Sequence, residues 1–215
     1  MSRRSGLVVV GSVVAVSVAL AACKGDAPAP GGRAQPASDA PAAPVAPAPS
    51  SAPDAAAVAR GKQATGELKR RLITRLTEAM QVGTPEAIEV CNTQAPEIAA
   101  AVSTGGVTVG RATRKPRNPA NLADGWQAEA LASFEARVAA GDGLDGASWS
   151  AAGPGGTTRY AEPLVIQPVC TVCHGDAIAR DVQAALAARY PDDQATGYRV
   201  GELRGLVWAE VAAAP

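Results

Sequence analysis

The chain holds a single histidine. That excludes a His-rich metal site and any mechanism that needs two imidazoles. Aromatic residues make up only 3% of it, so something besides stacked rings has to fill part of the core. An excess of either charge is also lacking. Across 215 residues there are 20 Lys and Arg against 20 Asp and Glu, and from residue 59 onward 16 basic residues face 17 acidic ones. Binding to nucleic acid through phosphate contacts needs a clear basic surplus and is disfavoured. No apolar run is long enough for a comfortable membrane span. The longest, Leu7 to Leu20, is about fourteen residues, which suits the core of an export signal instead.

Arg3 and Arg4 precede that run, and Leu20-Ala21-Ala22-Cys23 ends it with small residues before a cysteine. The arrangement resembles a bacterial lipoprotein processing site. It predicts a signal peptide over residues 1–22 and lipidation of Cys23. Lys24 stands where retention at the inner membrane is associated with Asp, so a periplasm-facing anchor in the outer membrane is the expected location. From residue 24 to 58 the chain is dominated by Ala and Pro, with no Leu, Ile or aromatic residue. Such a segment cannot bury enough apolar surface to offset its ordering entropy and reads as a disordered tether. Residues 59–215 then form one compact domain.

Within that domain, Leu68, Leu72, Leu76 and Met80 recur every fourth residue, which predicts a long first helix over Val58 to Met80. Gly83 closes it, and Thr84-Pro85-Glu86 opens a second helix with Thr84 as its cap. Ile88, Cys91, Ala95, Ile98 and Val102 line one stripe of this second helix, which Pro96 should kink. Val107-Thr108-Val109 reads as a strand. Trp126 to Val138 reads as a helix with Leu131, Phe134 and Val138 on one side. A Gly-rich loop then leads to an extended segment, Thr157 to Val169, which its prolines confine near a sheet edge. Ile178, Val182 and Leu186 mark another helix, ended by Pro191, and Leu203 to Val211 a closing strand. The order indicates an α+β fold with a mostly antiparallel sheet.

The chemistry is concentrated in Cys170-Thr171-Val172-Cys173-His174. Two cysteines at this spacing can each add across one vinyl group of haem, and the histidine after the second can bind the iron from the proximal side. One covalent c-type haem is therefore expected, and export agrees, because such haem is attached outside the cytoplasm. A Cys170–Cys173 disulfide, a thioredoxin-like pair and a zinc site are the rival readings. Gly175-Asp176 delays the helix that a thioredoxin motif requires, and the cysteine spacing is unusual for zinc. With the sole histidine used, the sixth iron ligand falls to Met80, Cys91, a Lys, a Tyr, water or nothing. Composition does not separate Met80 from Cys91. The basic loop with Arg111, Arg114, Lys115 and Arg117 either pairs with haem propionates or is simply solvated.

A longer set of strings resembles a known family. Glu89 to Ala99, Val109-Gly110-Arg111, Lys115 to Asn121, Pro168 to Gly175, Ala195-Thr196-Gly197-Tyr198 and Gly201 to Gly205 are similar to the Tll-like haem-c domain family. The resemblance runs over nearly all of residues 60–212. It implies a PAS-like antiparallel sheet flanked by helices, carrying covalent haem, with the iron ligated by the motif histidine and the helical cysteine, here His174 and Cys91. The cofactor-binding set expected is Cys170, Cys173, His174, Cys91, Arg111, Lys115 and Arg117.

The functional expectation is a lipid-anchored periplasmic c-type cytochrome acting as a redox or diatomic-gas sensor module, signalling to a separate periplasmic protein. The alternative is an electron carrier between periplasmic redox partners. An enzymatic role is disfavoured, because no distal imidazole remains for acid–base work.

Overall fold

The computed structural model describes residues 52–214. The expected signal peptide, Cys23 and most of the tether lie outside the described residues. Helix α1 spans Ala55–Val82 and starts inside the stretch that composition assigned to the tether. Asp54 caps it, with Oδ1 accepting the Ala57 N–H at 2.6 Å. Once Pro53 is passed, the high helix propensity of alanine decides the conformation. Leu68 is fully buried, and Leu72, Leu76 and Met80 are half-buried along the expected stripe. Among the described residues no helix is long and apolar enough to cross a membrane.

Helix α2 (Thr84–Glu89) is capped by Gly83 rather than Thr84, and Thr84 makes no capping hydrogen bond. The kink expected at Pro96 is resolved differently. Val90–Gln94 forms a π turn, in which the Ala95 N–H reaches back five residues to the Val90 carbonyl, and α3 (Ala95–Val102) continues beyond it. Pro96 has no N–H to give, and its ring would press on the carbonyl four residues earlier. One extra residue in the turn removes that conflict. Ile88, Ala95 and Val102 remain buried, with Cys91 and Ile98 half-buried beside them.

Four strands form one antiparallel sheet in the order β1-β4-β3-β2: β1 is Val107–Ala112, β2 Trp149–Ala152, β3 Thr158–Val165 and β4 Leu203–Val211. Strand β3, expected near an edge, is an inner strand. The β2 ladder stops at Ala161, however, while β3 continues against β4, where Pro163 faces Leu206. The proline therefore sits where one side of the strand is already open, which lets an inner strand tolerate it. Strand β2 occupies part of what reads as a Gly-rich loop.

The sheet has two differently filled faces. Helix α4 (Gly125–Ala139) covers one, burying Trp126, Ala130, Leu131 and Phe134 against Ala112, Ala161 and Leu206. Its buried stripe runs back toward Trp126, and Val138, expected on that side, is 49% exposed. Trp126 stacks on Trp149 at 5.8 Å and meets Trp208 edge-on at 5.7 Å. All three tryptophans and the one phenylalanine of the chain thus lie on the α4 face. The opposite face is mostly aliphatic, with Tyr160 buried beneath α1. There α1 and α3 pack Leu68, Leu72, Ile98 and Val102 on Val109, Val207 and Ala209. Two short helices, α5 (Thr171–His174) and α6 (Arg180–Arg189), complete the domain. Val182 and Leu186 of α6 pack against Ile88 of α2.

Candidate functional site

Beyond the part of the aliphatic face that α1 and α3 cover lies a cleft enclosing about 1220 Å³ of empty space, part of it open to solvent. Leu72 and Leu76 of α1, Leu164 of β3, Ile166 and Val207 give it apolar walls. Cys91, Cys170 and His174 all line it. The sequence places Cys91 far from Cys170 and His174, and the fold brings them together. Cys91 arrives on the π turn. Cys170 and His174 arrive on the segment that follows β3, where Pro168–Cys170 makes a 3₁₀ turn and α5 adds one helical turn. Cys173 points differently and packs beside the Ile88, Val182, Leu186 and Tyr190 cluster. All three cysteines of the described residues are free thiols, so Cys170 and Cys173 are not joined in a disulfide.

The short motif helix is held by partners distant in sequence. The Gly175 N–H donates to the Thr171 carbonyl at 2.9 Å, and a side chain at 175 would collide with that same oxygen. The Tyr198 N–H donates to the His174 carbonyl at 2.9 Å, and the Gly197 N–H to the Gly175 carbonyl at 2.8 Å. His174 Nδ1 lies 2.7 Å from the Ala195 carbonyl. A carbonyl only accepts, so Nδ1 carries the proton and Nε2 keeps its lone pair. Burial, with the nearby Arg117 and Arg204 charges, pulls the His174 pKa down to about 3. The ring is therefore neutral at physiological pH and suited to metal ligation.

Arg117 locks this arrangement. It is only 8% exposed. Its Nε donates to Asp193 Oδ2 at 3.0 Å, and its Nη2 donates to the carbonyls of Cys173 at 2.5 Å and Ala195 at 3.3 Å. Asp193 Oδ1 in turn accepts the Ala195 N–H at 2.7 Å. One buried ion pair thus fixes both the motif helix and the carbonyl that orients His174. At Cys91, burial pushes the thiol pKa up, while Arg111 and Arg117 oppose that rise.

The basic loop divides by role. Arg111 and Arg117 line the cleft. Lys115 lies outside its lining, with Nζ donating to the Thr196 carbonyl at 2.8 Å and resting 4.6 Å over the Tyr198 ring. Arg114 faces away and pairs with Glu135 at 2.9 Å. Met80, the rival candidate for an iron ligand, packs against Ala79, Ala87 and Val90. Sequence reasoning gave no role to Arg204, Tyr190 or Asp193. Arg204 falls within one of the strings that carry the family resemblance, but only the fold shows that it faces the cleft.

The contents of the cleft fit a porphyrin bearing iron. The walls are apolar, a neutral imidazole nitrogen and a thiol both reach the space, and a cysteine of the attachment motif stands at its lining. Among the described residues no three His, Cys, Asp or Glu side chains gather into a bare metal-ion site.

The family profile described as Tll0287-like: Tll0287 matches residues 59–211. Among solved structures, a crystal structure of the cyanobacterial heme-protein Tll0287 is similar, at 29% identity over 57% of this chain and 70% of that chain, with a TM-score of 0.45. No curated protein matches.

Proposed function

The chain belongs to the Tll0287-like family, and from that premise we propose that it holds one covalent c-type haem and serves as a redox or diatomic-gas sensor module. The observation that carries this reading is the convergence of Cys91, Cys170 and His174 on one apolar cleft. Haem, when bound, supplies a redox-active iron that takes ligands from the protein. Cys170 and Cys173 would hold it by thioethers. His174 Nε2 and Cys91 Sγ would ligate the iron.

His174 is the fixed ligand, because Ala195, Arg117 and Asp193 set its tautomer and orientation. Cys91 is the labile one. It sits on a π turn, a strained interruption of helix that is common at functional positions. Burial favours the protonated, weakly coordinating thiol, and Arg111 and Arg117 favour the anionic sulfur that binds firmly. A change of charge in the cleft shifts that balance and opens or closes one side of the site. The basic start at Arg3 and Arg4, the apolar run to Leu20 and the Ala21-Ala22-Cys23 ending support a periplasm-facing protein anchored through a lipid on Cys23, with a separate signalling or redox protein as its partner.

The experiment is a comparison of optical and magnetic spectra of the full chain, matured with a haem-attachment system, with those of Cys91→Ala. Haem resistant to acid-acetone extraction, and a ferric low-spin thiolate signature that the variant loses, are expected. Ferric spectra that ignore the substitution remove Cys91 from the iron. Six-coordinate haem in both oxidation states, with fast electron exchange, would instead favour an electron carrier.

A further inference from the structure

Four cations line the cleft, namely Lys69, Arg111, Arg117 and Arg204, and no carboxylate does. Two of the four are neutralised from behind. Lys69 pairs with Glu162, and Arg117 pairs with Asp193. For Arg111 and Arg204, no acidic side chain among the described residues lies within ion-pair distance. Both are half-buried rather than splayed into water. A surplus of two positive charges therefore faces an apolar space, where like charges repel strongly and hydration is poor.

Arg204 is held in place without being neutralised. Its Nη1 donates to Thr113 Oγ1 at 2.8 Å, and its guanidinium rests 5.4 Å from the centre of the Tyr198 ring. Thr113 is buried, and its hydroxyl donates to the Arg204 carbonyl at 2.7 Å, so the start of β4 and the end of β1 are locked together there. Arg111 projects from β1 on the same face of the sheet as Val109. A guanidinium fixed this way, with N–H groups left over, is preorganised for a carboxylate.

We propose that Arg111 and Arg204 form the seat for the two propionate carboxylates of the haem, with Arg117 and Lys115 excluded from that task by their existing partners. This rests on the haem reading above and adds to it the orientation of the macrocycle. Its acidic edge lies toward the β1–β4 end of the cleft. Two arginines without acidic partners meeting two carboxylates brings the cleft to neutrality.

The test uses the full chain with Cys170→Ala and Cys173→Ala, so that no ligand is captured covalently. Binding of ferric haem is compared with binding of its dimethyl ester, in which both carboxylates are capped. The free acid is expected to bind about tenfold or more tighter. In Arg111→Gln/Arg204→Gln that preference should collapse toward one, with each single variant in between and Arg111→Lys/Arg204→Lys retaining most of it. Both ligands are measured on the same variant, so a general loss of folding shifts both constants and spares the ratio. A ratio unchanged in the Gln pair overturns the proposal and leaves the haem reading standing. Failure of the arginine-bearing chain to bind either ligand overturns both.

Discussion

His174 shows how much a single side chain owes to its surroundings. Burial is the main cause of its low pKa, reinforced by Arg117 and Arg204. The unfolded chain takes up this proton near 6.5, the folded chain only near 3. Between those values the unfolded state binds more protons, so stability present above the upper value is lost as pH falls through the window. In the chain made without haem, the unfolding free energy should therefore drop with acidification by up to ~1.4 kcal/mol per pH unit. His174→Leu should flatten that slope, and a slope that survives the substitution would assign it to other groups. At this scale the sequence was informative where spacing along the chain encodes the chemistry. Cys170, Cys173 and His174 sit within one turn of helix, so their relation is local. Arg117 and Asp193, or Arg111 and Arg204, are related only through the sheet and loops, and no periodicity reports such a pairing. Arg111 and Lys115 look alike in a basic loop, but only Arg111 faces the cleft.

Elements were legible where an amphipathic stripe was long. Helix α1 and strand β4 follow their apolar patterns closely, and α4 does so except at Val138, because burial of a whole face determines them. The π turn was not legible as such. Pro96 announces an irregularity, but whether the backbone kinks or takes in an extra residue depends on the packing of Ile88 before the turn, Val90 within it, and Ala95, Ile98 and Val102 after it. Strand β2 escaped notice because four residues between glycine-bearing loops leave almost no alternation to detect. One position at this scale is especially constrained. At Gly205 on β4 a Cβ would strike the Ala112 carbonyl and crowd the Thr113 side chain across the strand pair. Gly205→Ala should force β1 and β4 apart and lower unfolding stability by about 2–3 kcal/mol. Because Gly205 also lines the cleft, retention of haem should fall with it. Urea denaturation with unchanged stability would show that the strands part more easily than their packing indicates.

At the level of the whole molecule, the α+β class was readable from the order of elements. The inner position of β3 was not, since prolines argue for an edge and only the early end of the β2 ladder reconciles them. The two faces of the sheet make separable contributions. Phe134 is buried on the face away from the cleft, so Phe134→Ala should cost about 3–5 kcal/mol of stability through a cavity under α4. The spectrum of bound haem should stay the same. A spectral change in that variant would mean that the faces are coupled through the strands between them.

The gathering of Trp126, Trp149 and Trp208 on that far face gives the protein a built-in fluorescent gauge. All three indoles emit from one side of a single sheet, and whatever occupies the other side sits roughly one packing layer, about 10 Å, away. A strongly coloured guest at that range would drain their emission together, whereas vacant molecules would glow, so the brightness of a sample counts its unfilled chains.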